Sequence, residues 1–122
     1  MKPVADKRLF ECSFLIPIRR DPNLSDGKRH RSKAWRWLEA ELFQFAGGTR
    51  EKEPLEGWYL DPDTGHTVRD NSKKYFVAVA GQELPSLRAI LSRACSVFHQ
   101  KCIYLSVAGR VEFVKGPTHE KN

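Results

Sequence analysis

Two stretches of this chain carry apolar residues at helical spacing, and each is flanked by stretches that carry them at every second position. This alternation of period is the tightest constraint on the fold, because helices with one apolar stripe and strands with one apolar face must bury them against each other. Phe10, Cys12, Phe14, Ile16 and Ile18 fall on one face of a first strand, with Glu11, Ser13, Leu15, Pro17 and Arg19 on the other. Ala34, Leu38, Leu42 and Phe45 then share one stripe of a helix over about residues 32–46. Ser32 is placed as its N-cap, and Gly47-Gly48 as its stop, since a left-handed residue closes a last turn cheaply.

Residues 57–60 and 66–69 read as the arms of a hairpin, joined by the turn Asp61-Pro62-Asp63-Thr64-Gly65. Asp70-Asn71-Ser72 reads as a second break. The apolar run 75–80 then fits a central strand covered on both faces. Leu87, Ile90, Leu91, Ala94 and Phe98 form the core stripe of a second helix, with Pro85 in its first turn. Residues 102–107 and 110–114 form a last pair of strands about Ala108-Gly109. The order predicts an α+β fold: a ferredoxin-like βαββαβ-type antiparallel sheet, two helices on one face, and extra β-hairpin arms. The second face of the sheet is left open, with Leu15 and alternate members of 75–80 looking toward it. A homodimer through that open face is therefore expected.

A chain of 122 residues is expected to be one domain spanning 1–122, with flexible ends at 1–8 and 116–122. No apolar run approaches the roughly 20 residues that cross a bilayer, so no membrane partner is expected. Cys12, Cys95 and Cys102 all lie in apolar segments and read as buried free thiols. An odd cysteine count with no secretory signal points to a cytoplasmic protein.

Charge is distributed unevenly. Residues 1–38 hold ten Lys/Arg and four Asp/Glu, whereas residues 39–122 hold eleven of each, so the whole excess of +6 lies in the first third. Arg19, Arg20, Lys28, Arg29, His30, Arg31, Lys33 and Arg36 crowd the loop 19–30 and the start of the first helix. Cations there oppose the helix dipole, and an N-terminal turn surrounded by them suits an anion. The loop itself, rich in turn residues and charge, reads as mobile. Trp35 and Trp37 stand about 200° apart on a helix and form no shared stacking platform.

The stretches Gly57-Trp58, Asp61-Pro62-Asp63-Thr64-Gly65 and Arg69-Asp70-Asn71-Ser72-Lys73, with Phe98-His99-Gln100-Lys101-Cys102-Ile103-Tyr104, carry a resemblance. Together they resemble small bacterial proteins of uncharacterised function, and the resemblance implies a ferredoxin-like α+β fold over about residues 10–115. Those relatives often have Gly before the Gln of the second motif, where this chain has His99. The resemblance implies no catalytic residues.

Asp61, Asp63, His66 and Asp70 form the one carboxylate-and-histidine group, whose oxygens suit Mg²⁺ or Mn²⁺. The same residues are first of all good turn chemistry, so no metal and no cofactor is expected. Three functions follow. The favoured one is a non-catalytic binding module for a polyanion such as nucleic acid, or for an acidic protein, through the basic cluster. The alternative is a homo-oligomeric structural or interaction module. A further alternative is a small enzyme or small-ligand-binding domain.

Overall fold

The computed structural model describes residues 8–61 and 63–117. The elements run β1 (Leu9–Pro17), α1 (Ser32–Phe45), β2 (Thr49–Arg50), β3 (Leu55–Leu60), β4 (Thr67–Ala80), a single 3₁₀ turn (Gly81–Glu83), α2 (Leu84–Val97), β5 (Cys102–Val107) and β6 (Arg110–Lys115). The strands form one antiparallel sheet in the order β2-β4-β1-β5-β6, with β3 also on β4. This is the split β-α-β order of the ferredoxin-like architecture, widened by β6. The expected flexible ends 1–8 and 116–122 lie outside the described residues, apart from Arg8, Gly116 and Pro117. No helix among the described residues is long and apolar enough to cross a membrane.

The helical stripes read from the sequence are the ones the fold buries. Leu38 and Leu42 of α1 and Leu87, Leu91 and Ala94 of α2 close over Cys12, Phe14 and Ile16 of β1 and Ile103 and Leu105 of β5. Each fully buried Leu or Phe contributes about 1.5–3 kcal/mol relative to exposure. Phe14 stacks on Tyr75 across the β1–β4 ladder, with ring centroids 5.4 Å apart. Both helices thus cover one face. Alternation holds through 75–80 as well: Tyr75, Val77 and Val79 are buried, whereas Phe76 and Ala78 look outward. The apolar run is therefore covered on one face, not two.

The break expected at Asp70-Asn71-Ser72 does not exist. β4 continues through it for fourteen residues. Gly57 pairs Asp70, Glu56 pairs Asn71, and Pro17 pairs Ser72, while the Asn71 carbonyl accepts from the Ile18 N–H at 2.9 Å. Partners along both edges outweigh local turn preference. Arg31, not Ser32, occupies the N-cap of α1, and among the described residues no side chain caps that helix.

The loop 19–30 is tied together at its two ends. Arg19 bridges Arg29, Arg20 N–H donates to the Lys28 carbonyl, and His30 N–H donates to the Ile18 carbonyl, so the loop begins and ends as a short ribbon. Asp26 accepts both from Arg20 Nη1 (3.1 Å) and from Lys28 N–H (3.0 Å).

α2 ends in a Schellman motif. Gln100 N–H reaches the Cys95 carbonyl at 2.8 Å, and His99 takes a left-handed φ of 49°. A β-carbon is penalised in that conformation, so position 99 is one that glycine would fit better. The exposed His99 side chain makes no hydrogen bond among the described residues. His99→Gly is expected to stabilise the fold by about 0.5–1 kcal/mol, raising Tm by about 3 °C. A thermal melt that shows a lower Tm would contradict this assignment of strain.

Candidate functional site

The structure divides the eight basic candidates. Arg20, His30, Arg31 and Lys33 border an open basin of about 540 Å³ beside the start of α1. Arg20 is spent on its ion pair with Asp26, and its side chain is only 17% exposed. His30 is packed inward: its ring meets Phe98 and Trp35 edge-on at centroid distances of 4.8 and 5.5 Å. Its Nε2–H donates to the Pro17 carbonyl at 2.8 Å, and Nδ1 is buried with no partner among the described residues. Burial lowers the His30 pKa, so this ring is a neutral wedge under the loop rather than a cation. Lys28, Arg29 and Arg36 stand exposed outside the basin, and Arg19 faces a different pocket altogether.

The metal candidates are likewise not gathered. Asp61 and Asp63 build the β3–β4 turn, where Asp61 Oδ1 accepts from Asp63 N–H at 2.8 Å and Gly65 supplies a φ of +72°. Asp63 pairs with Lys101 at 3.2 Å. Asp70 sits within β4, opposite Gly57 and away from that tip. Among the described residues no three His, Cys, Asp or Glu side chains are placed to hold a metal.

The open sheet face holds a different site. β4 outruns β1, so the β3–β4 hairpin projects past the end of the β1–β4 ladder. A cleft of about 340 Å³ lies between this hairpin and the sheet, within the range typical of small-ligand sites. Leu15 and Pro17 of β1, Cys102 and Tyr104 of β5, and Phe113 of β6 form one wall. Gly57, Trp58, Tyr59, Asp70 and Ser72 form the other, and Gln100 closes one end. The register explains the first wall: Tyr104 pairs both Leu15 and Phe113, while their chain neighbours Phe14 and Val114 are buried under the helices. Tyr104 and Phe113 meet edge-to-face at 5.9 Å. Gln100 Nε2 donates to the Phe98 and Arg19 carbonyls at 2.9 and 2.8 Å, which ties this end of the cleft to the loop.

Among the described residues, Asp70 is the only carboxylate in the cleft lining. Burial raises its pKa, opposed by the Asn71 N–H; nearby Asp21 raises it further and Arg19 lowers it. Burial also raises the Tyr59 hydroxyl, as does the Asp70 charge, so that phenol stays protonated and able to donate. The cleft therefore combines several aromatic faces, one desolvated anion and a phenol donor. It suits an organic cation carrying a flat ring, because aromatic faces attract both. The sequence pointed to the face but not to this site, because Asp70 and Ser72 read as a turn.

Two solved structures match the chain over nearly its whole length. One is a phage SAM lyase in complex with S-methyl-5′-thioadenosine, at TM-score 0.66 and 12% identity, covering 98% of this chain and 99% of that one. The other is a phage SAM lyase in its apo state, at TM-score 0.61 and 13% identity, covering 98% of each chain. No family model matches the chain, and no curated protein does. The fold implied by the sequence resemblance is the fold observed, and these structural neighbours are phage proteins. The favoured sequence reading, a non-catalytic polyanion module, does not stand. Both neighbours are enzymes named for a small molecule, and the fold takes the basic cluster apart.

A buried carboxyl whose folded pKa is raised contributes its stability below the unfolded pKa and loses it as pH rises through the folded value. Ionised Asp70 is thus a structural cost at neutral pH. Asp70→Asn is expected to raise the ligand-free Tm at pH 7.5 by about 2 °C, a gain that shrinks toward pH 4. Melts of both proteins at the two pH values check this, and a lowered Tm at pH 7.5 would mean that the carboxylate is held by a partner instead.

Proposed function

We infer that this chain is a small enzyme of the SAM lyase type, and that the open-face cleft binds S-adenosylmethionine. The observation that carries the reading is Asp70, a desolvated carboxylate in an aromatic cleft, on a fold shared end to end with two such lyases. A sulfonium is a permanent cation with no hydrogen to donate. Aromatic faces and an anion are the groups that recognise it, and the adenine ring finds a stacking surface among Tyr104, Phe113 and Trp58.

The chemistry fits a cleft lined mostly by apolar and aromatic residues. S-methyl-5′-thioadenosine is S-adenosylmethionine without its amino-acid arm. Forming it breaks the bond between that arm and sulfur, whose electron pair stays on sulfur as a neutral thioether, while an oxygen of the arm's own carboxylate bonds to the carbon that sulfur leaves and closes a lactone, so that the sulfonium and carboxylate charges cancel. Charge disappears in this step, so an apolar cleft favours it relative to water. The roles that follow are positioning ones: Asp70 holds the cationic end of the substrate, and Tyr59 donates a hydrogen bond beside it.

The purified protein is expected to convert S-adenosylmethionine to S-methyl-5′-thioadenosine, followed by chromatography. Asp70→Asn is expected to lower kcat/KM by about a hundredfold while the protein stays folded. Absence of product, together with no effect of either compound on Tm, would overturn the reading.

A further inference from the structure

Asp70 lines two cavities, not one. Beyond the aromatic cleft lies a polar pocket of about 250 Å³, bounded by Ile18 and Arg19 at the end of β1 and by Glu56, Arg69 and Asn71 of the hairpin. Arg19 and Arg69 therefore border a space that shares Asp70 with the cleft. Arg69 Nη1 stands 3.4 Å from Glu56 Oε1, but both side chains are largely exposed, and such a pair is weak and easily exchanged. Arg19 has no ion-pair partner among the described residues. Its backbone is nevertheless held, through the bridge to Arg29 and the bond that its carbonyl accepts from Gln100. A cation on a fixed stem thus stands next to a desolvated anion.

This pair is the complement of an α-amino acid. The carboxylate of such a zwitterion suits a guanidinium, which can grip both oxygens at once, and its ammonium suits a carboxylate. We propose that the polar pocket receives the amino-acid arm of the substrate, with Arg19 binding its carboxylate and Asp70 its ammonium, while the nucleoside lies in the aromatic cleft. This rests on the reading of the cleft as a sulfonium-nucleoside site. Arg19 is then a specificity residue: it selects nucleosides that carry the arm over those that have lost it, which favours release of the product.

Two ligands separate the halves of the site. S-adenosylhomocysteine has the arm but no sulfonium, so the proposed cleavage does not consume it. S-methyl-5′-thioadenosine lacks the arm. Titration calorimetry is expected to show both binding the unaltered protein. Arg19→Gln is expected to weaken S-adenosylhomocysteine about tenfold and to leave S-methyl-5′-thioadenosine within about twofold, and Arg19→Lys is expected to restore part of the loss. Equal weakening of both ligands, no change in either, or binding of S-methyl-5′-thioadenosine without S-adenosylhomocysteine overturns the role of Arg19 and leaves the cleft reading standing. Binding of neither by the unaltered protein overturns the cleft reading, and this one with it.

Discussion

The structure depends on the uninterrupted hydrogen-bond ladder along β4. Fourteen residues of one strand pair with β1 on one edge and with β2 and β3 in turn on the other. β1 leaves β4 after the Pro17–Ser72 pair and one further hydrogen bond from Ile18 N–H to the Asn71 carbonyl, and β4 runs on beyond it. The β3–β4 hairpin is thereby held out past the sheet, and the cleft forms in the space between them. Were β4 broken at Asp70-Asn71-Ser72, Asp70 would sit in a solvated turn, and its carboxylate would lose the desolvation that sets it apart.

The two faces of the sheet are assigned different work. The helix-covered face holds the packed core that fixes strand positions. The open face carries Leu15, Tyr104 and Phe113 in one row, an apolar surface that a folded chain would cover if stability alone mattered. The desolvated Asp70 beside that row is likewise a residue whose structural contribution is negative at neutral pH. Apolar surface left open next to a half-buried carboxylate is the combination on which the proposed cationic organic ligand rests. The loop 19–30 supports the arrangement from behind: His30 wedges between Trp35 and Phe98, and Gln100 anchors Arg19.

Much of the architecture was legible in the sequence because it follows from side-chain period. The stripe Leu87, Ile90, Leu91, Ala94, Phe98 and the alternation Cys12, Phe14, Ile16 are buried as their spacing requires, and both α-helices among the described residues pack on the same sheet face, which leaves the second face open. How the loop 19–30 is tied together was not legible, since Asp21, Asn23 and Asp26 show turn chemistry without showing what the turns pack on. Nor was the site. Eight cations clustered in sequence drew attention to the start of α1, yet a β-ribbon turns successive side chains to opposite sides and sends Arg19 and Arg20 to different pockets. The cleft is built from five strands distant in sequence, and a residue such as Asp70 shows its role only when the strand pairing that desolvates it is known.

The central claim is that ligand chemistry resides on the open sheet face and not at the basic basin beside α1. Amide and indole chemical-shift mapping during a titration with S-methyl-5′-thioadenosine tests it most directly. Saturable shifts are expected at Trp58, Tyr59, Asp70, Tyr104 and Phe113, with Arg31, Lys33 and Trp37 unmoved. Shifts confined to Arg31, Lys33 and Trp37 would contradict it.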